Sequence, residues 1–153
     1  MKKIVLTNGQ FVLVDDYWYE YLKQWNWGVD KSNGYVRRVT NDNKKIYMHR
    51  LILSISKGKN TDHIDRNKLN NQRKNLRICT QRQNCFNQVG SKNGSSSFKG
   101  VGFYKRDKNW HAQIMINRKQ IHIGYFDNEI EAARAYDKKA IEHFGEFAYL
   151  NKV

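Results

Sequence analysis

The chain is short of cysteine, of acid and of long apolar runs, and each shortage closes off a class of protein. Its two cysteines, Cys79 and Cys85, form no Cys-x-x-Cys pair, so neither a thiolate zinc site nor a disulfide framework is supported. Both read as free thiols in a reducing, intracellular compartment. No apolar run approaches the roughly 20 residues that span a bilayer. The opening MKKIVLTNGQ has two lysines with no apolar segment behind them, so it does not read as a signal peptide. Acid is scarce: 14 Asp and Glu stand against 28 Lys and Arg, for a formal net charge of +14. That excess points to a polyanion, nucleic acid ahead of an anionic membrane surface. Hydrophobic residues make up 39%, too few for one large core. The 13% aromatic share can anchor several small ones. A length of 153 residues accommodates one ordinary domain or two or three small modules.

Four segments follow from the pattern. Residues 1–48 form a β-rich segment with one helix. Ile4, Leu6, Phe11 and Leu13 alternate around Asn8-Gly9, which predicts a β-hairpin. Asp15-Asp16 then opens a short helix over YWYEYLKQW, with Trp18, Leu22 and Trp25 as a core stripe. Strand character returns from WNWGVD through MHRLIL. Residues 49–90 are the most basic part, with nine Lys and Arg against two Asp and Glu. Residues 91–97, SKNGSSS, read as a polar linker.

Residues 98–153 predict a three-stranded antiparallel sheet with one covered face. WHAQIMIN puts Trp110, Ala112, Ile114 and Ile116 on one side, and KQIHIGYF adds Ile121, Ile123 and Tyr125. A helix follows over 128–144, with Asn128 and Glu131 in capping-box positions and Gly145 as its stop. Its stripe of Ile130, Ala133, Tyr136, Ala140, Ile141 and Phe144 should cover the sheet. The fold class is therefore α+β, built from small modules.

The chemistry concentrates in TDHIDRNKLNNQRKNLRICTQRQN, residues 61–84. Hydrolysis of a phosphodiester needs a base to activate water and a cation to offset phosphate charge. His63 is the candidate base, because an unperturbed imidazole titrates near neutrality. Asn75 is the candidate amide that holds its tautomer. Asp62 and Asn84 are the candidate oxygen ligands for one divalent cation, Mg²⁺ or Mn²⁺, in the sparse style of a site that keeps water and substrate phosphate as its other ligands. Arg77 either contacts phosphate or pairs with Asp65. Asp65 reads as a turn former, and Asn70, Asn71 and Asn87 as structural amides. His49 is either a packed or a catalytic histidine.

This segment resembles the HNH endonucleases of phage and intron-encoded homing type. The matching elements are MHRLIL as a hydrophobic strand, the Asp-His pair, the Asn-rich loop, Asn-Leu-Arg, and a helix that carries Asn84 where many relatives carry His. The resemblance implies a ββα-metal finger, with His63 as general base, Asn75 orienting it, and Asp62 and Asn84 on the metal. FKGVGFYKRDKNWHAQI and GYFDNEIEAARAYD in turn resemble the plant APETALA/ethylene-response-factor DNA-binding domain, a module also found fused to phage HNH nucleases. It implies duplex binding through the open sheet face. The candidate contacts are Lys99, Tyr104, Lys105, Arg106, His111, Gln113, Met115, Arg118, Lys119 and His122. Gly102 and Met115 stand where the plant family usually places arginine, so strong guanine readout is not expected. Trp110 reads as core. Arg37, Arg38, Lys44 and Lys45 are either phosphate contacts or a solvated basic face.

Together these readings predict a metal-dependent DNA endonuclease, a monomer tethered to double-stranded DNA by its C-terminal module. The alternative is a catalytically inactive, sequence-specific DNA-binding regulator. An RNA-binding protein is disfavoured, since the sheet lacks an aromatic ribonucleoprotein motif.

Overall fold

The structure is a computed structural model that describes residues 1–56, 58–90 and 94–153. It is an α+β protein with several small sheets and, among the described residues, four helices, and the chain divides into two compact units, residues 1–84 and 85–153. Part of the 91–97 segment lies outside the described residues. Within its described part, Ser95 Oγ accepts from the Phe103 N–H and Ser96 Oγ donates to Glu129 at 2.6 Å. Among the described residues no helix is long and apolar enough to cross a membrane.

The first unit opens with an antiparallel hairpin, β1 (Lys2–Val5) and β2 (Phe11–Val14). Gly9 supplies the turn with φ of 82°, a conformation that costs a glycine little. Ile4 and Leu6 face the core as expected, but the phase of β2 is reversed. Val12 and Val14 are fully buried and Phe11 is exposed. The register explains the switch: Ile4 stands opposite Val12, and directly opposed residues share a face. Helix α1 (Asp16–Leu22) ends earlier than its apolar pattern, and Trp25 packs on the core from beyond it. Trp27 is fully buried, and its indole N–H donates to the Leu22 carbonyl at 2.8 Å.

Strands β3 (Gly28–Val29), β4 (Val36–Val39) and β5 (Lys45–Tyr47) form a second sheet in sequential order. MHRLIL then departs from the expected strand and forms helix α2 (Met48–Leu53). Its apolar run has no alternation to commit it to a strand. Met48, His49 and Ile52 go inward at helical spacing, and Ser54 ends the helix in the left-handed region with its N–H on the Arg50 carbonyl. Strands β6 (Asn60–His63) and β7 (Leu76–Cys79) pair antiparallel, and helix α3 (Gln81–Phe86) follows.

Ile4, Val12, Val14, Leu22, Trp27, Val36, Met48, Ile52 and Leu76 share one core. Residues 1–48 are thus part of the same packed body as the β6–β7 hairpin. Asp30, 3% exposed, anchors the second sheet. Its carboxylate accepts from the Ser32 N–H and hydroxyl and from the Tyr47 hydroxyl, and pairs with Arg37 at 3.0 Å and Lys45 at 3.4 Å. Ser32's hydrogen bonds lead in holding the Asp30 carboxyl far below its ordinary range. A depressed folded-state pKa adds stability above the unfolded value that is lost as pH falls through the folded one. The Asp30→Asn variant should therefore be less stable than the parent at pH 7. That difference should shrink below about pH 4, as read from urea midpoints across pH.

The second unit is a three-stranded antiparallel sheet, β8 (Val101–Tyr104), β9 (Asn109–Ile116) and β10 (Lys119–Phe126), with β9 in the centre. Helix α4 (Glu129–Phe144) packs across it. Asn128 caps that helix through Oδ1, which accepts from the Glu131 N–H at 2.9 Å. Ala112, Ile114, Ala132, Tyr136 and Ala140 form the core. Two expectations shift here. Ile130 and Ile141 are exposed, and Ala132, outside the expected stripe, is buried beside Ala133, Tyr136 and Ala140. Tyr125 faces outward, because a β-bulge between His122 and Gly124 adds a residue and flips the alternation after Ile123.

Asn151, 5% exposed, closes the unit. Its side chain accepts from the Lys99 N–H and donates to the Lys99 carbonyl and to Asp137. Burial raises the Asp137 carboxyl, and the Asn151 hydrogen bonds oppose that rise. Asn151→Ala should destabilise this unit by roughly 2–4 kcal/mol, since it strips partners from buried polar groups. Chemical denaturation followed by Trp110 fluorescence would measure it.

Candidate active site

The β6–β7 register decides what faces what. Asp62 lies directly opposite Arg77, and His63 opposite Leu76. Arg77 Nε and Nη2 both donate to Asp62 Oδ2, at 2.9 and 2.5 Å. The sequence set a phosphate contact against a pairing with Asp65, and the structure pairs Arg77 with Asp62 instead. Asp65 is occupied elsewhere. Its carboxylate accepts from the Asn67 N–H, from Asn70 Nδ2 at 2.7 Å and from Asn75 Nδ2 at 2.8 Å. It is a turn former.

Asn75 is buried, and both of its amide hydrogens are committed, to Asp65 and to the Asn70 carbonyl, while its oxygen accepts from the Asp65 N–H at 3.0 Å. It fixes the loop that leaves His63. The amide that faces the imidazole belongs to Asn71. Asn71 is fully buried, with its own Nδ2 on the Lys68 carbonyl.

His63 is 3% exposed and lies against two rings. Tyr35 stacks on it with centroids 5.7 Å apart, His49 meets it edge-on at 5.5 Å, and Tyr35 also touches His49 at 4.8 Å. Burial pushes the His63 imidazole down from its ordinary value, against the nearby Asn71 amide and the charges of Asp65 and Asp62. The ring is therefore held neutral at pH 7, the form that can accept a proton. His49 is driven further, down to about 3, by burial first and then by His63 and Arg50. It is packed rather than exposed, and the sequence signal for its place beside His63 was hidden by the helix that MHRLIL forms.

Thr80 and Gln83 form a capping box at the start of α3. The Thr80 N–H donates to Gln83 Oε1 at 2.8 Å, and the Gln83 N–H to Thr80 Oγ1 at 3.2 Å. Asn60 Nδ2 also donates to Gln81 Oε1. These contacts set the helix on which Asn84 sits. The oxygen donors Asp62 and Asn84 suit a hard divalent cation in kind. Among the described residues no three His, Cys, Asp or Glu side chains are gathered to hold a metal. A cation here would depend on Asp62, an amide oxygen, and ligands from water or phosphate.

In the second unit the open sheet face carries Tyr104, His111, Gln113, Met115 and His122. They are joined by ring contacts of Tyr104 with His111 at 4.4 Å and of Tyr125 with His122 at 4.5 Å. Tyr125 is the member that sequence periodicity missed. Gly102 leaves room for the His111 ring, which a Cβ there would meet at 2.5 Å. Lys105 and Arg106 lie in the β8–β9 turn, with Arg106 paired to Asp107. Arg118 is in the β9–β10 turn, and Lys119 opens β10. Basic residues thus flank the face at both ends of β9. Lys99 is set apart, its ammonium donating to the Phe86 and Gln88 carbonyls.

An antiparallel hairpin carrying Asp-His, an asparagine-pinned loop and a following helix make a ββα unit. Comparison with known proteins supplies the class. The chain is 39% identical over 152 residues to an uncharacterized HNH endonuclease of Acanthamoeba polyphaga mimivirus, covering 95% of this chain and 76% of that protein. The chain belongs to the HNH endonuclease family. It is also 44% identical over 65 residues to APETALA2-like protein 2 of rice, across 41% of this chain but only 15% of that protein. A third relative, protein 3.8 of Escherichia phage T7, is 35% identical over 66 residues, 43% of this chain and 54% of that protein. No protein-family model matches the chain.

Proposed function

We propose that the protein hydrolyses phosphodiester bonds of double-stranded DNA, with the HNH finger of residues 49–90 as its catalytic part and residues 98–153 as an APETALA/ethylene-response-factor-like DNA-binding module. The observation that carries this reading is His63. It is buried, held neutral, and set beside the carboxylate of Asp62 on the same strand. His63 accepts the proton of the attacking water at a ring nitrogen. Asn71 and Asn75 act through position, one on the ring and one on the loop. Asp62 and Asn84 would hold a divalent cation, Mg²⁺ or Mn²⁺, which when bound offsets charge on the scissile phosphate. The sheet face supplies Tyr104, His111, Gln113, Met115 and His122 to the groove, and Lys105, Arg106, Arg118 and Lys119 supply backbone-phosphate contacts. A homing role in a mobile element follows from the resemblance, and a single active site on a monomer favours nicking one strand over cutting both.

The test is incubation with supercoiled plasmid in Mg²⁺ or in EDTA. Nicked or linear product that requires the cation supports the reading. Plasmid binding without cleavage in Mg²⁺ and Mn²⁺, on DNA from several sources, would favour a DNA-binding regulator. The observation on that side is the engagement of Asp62 by Arg77.

A further inference from the structure

Asp62 is asked to serve both an arginine and a cation with one carboxylate. The side chains of Asp62 and Arg77 are 7% and 11% exposed, and two guanidinium N–H groups converge on Oδ2. An oxygen that accepts two charge-assisted hydrogen bonds has committed the lone pairs a cation would use. A buried carboxylate also needs a counter-charge, and Arg77 provides it.

We propose that Arg77 is a stored phosphate ligand: it neutralises Asp62 until a divalent cation takes that carboxylate, and the displaced guanidinium then turns to a phosphate of the substrate. The inference rests on the reading of Asp62 as a cation ligand. Once a cation sits on Asp62, Arg77 faces a net positive site and must find another anion. Residues 49–90 contain only two acids, Asp62 and Asp65. Asp65 is already held by Asn67, Asn70 and Asn75. Neither acid of this segment is then open to it, and we assign substrate phosphate as the anion it turns to, because the guanidinium fork matches phosphate oxygens at two points. Cation and DNA would then bind cooperatively, each favouring the displaced arginine. The device keeps the carboxylate neutralised while cation and DNA are absent.

The experiment is calorimetric titration of the full chain with Mn²⁺ alone, with no DNA present, for the parent, Arg77→Met, Arg77→Lys and Asp62→Asn. Arg77→Met should bind Mn²⁺ about tenfold more tightly than the parent, because the competing charge-assisted bonds are gone. Arg77→Lys keeps the charge but not the two-point hold, and should fall between the two. It carries the test if Arg77→Met does not fold. Asp62→Asn should lose the cation. A second titration with duplex oligonucleotide, with and without Ca²⁺, should show cation-enhanced DNA affinity in the parent and little enhancement in Arg77→Met. If both arginine variants bind Mn²⁺ no more tightly than the parent while Asp62→Asn loses it, storage is overturned and Asp62 stands as a ligand. If Asp62→Asn binds Mn²⁺ like the parent, the ligand assignment itself fails, and this inference with it.

Discussion

His63→Ala is expected to lower the rate of plasmid cleavage by roughly 10²–10⁴-fold, the usual contribution of a positioned general base. The imidazole is buried against Tyr35 and His49, so alanine also opens a void in a ring cluster. The rate must therefore be read beside the melting temperature. A fall in rate with a melting shift of only a few degrees, and with unchanged affinity for duplex, assigns the loss to chemistry. A variant that melts far lower says that the ring is structural, and His63→Gln, which keeps more of the volume, would then separate the two roles. Retention of full cleavage by either folded variant would remove His63 from the mechanism.

The largest expected effect on stability is Gly100→Ala. Gly100 sits at φ of 77°, and a Cβ there would collide with the Tyr136 ring and lie 2.6 Å from the Gln113 carbonyl oxygen. Tyr136 is 3% exposed in the core of the second unit, and Gln113 donates its own N–H to the Gly100 carbonyl at 2.8 Å. Neither neighbour can withdraw without breaking the sheet or the core. Backbone strain and overpacking together should cost about 3 kcal/mol or more. Gly9→Ala is the control: its φ is 82° but nothing lies within 4 Å of the added atom, so only the conformational penalty of about 1 kcal/mol applies. Urea unfolding of both variants measures the contrast. Equal losses would mean that the space around Gly100 is not as tight as the structure shows.

Much of this architecture was legible because it is local. Asn8-Gly9, the alternation of WHAQIMIN and the Asn128 cap each act within a few residues, and the structure contains the corresponding turn, strand and helix start. What misled was phase and partner, which depend on distant residues. Phe11 reads as core until the register places Val12 opposite Ile4. Tyr125 reads as core until the bulge at Ile123 is counted. MHRLIL has no period of its own, and its packing under β4 and β5 makes it a helix. The residues proposed for the site, Asp62, His63, Asn75 and Asn84, are visible in the sequence only as types in order. The pairing of Asp62 with Arg77 was not read, although an antiparallel hairpin that joins His63 to Leu76 also joins those two. A register argument from the length of the loop would have found it.

The hydrogen bonds that join β2 to the asparagine loop bear on inheritance. Leu13 donates its N–H to the Leu69 carbonyl and accepts from the Asn71 N–H, both at 2.8 Å, and Asp15 accepts from the Arg73 N–H. The first hairpin is thereby one wall of the loop that carries Asn70, Asn71 and Asn75. A recombination event that carried residues 49–90 into another gene without residues 1–48 would deliver a loop with exposed backbone and half a core. Residues 1–84 pack as one unit, and chimaeras joined at residue 48 should fail where those joined beyond α3, after Gly90, fold.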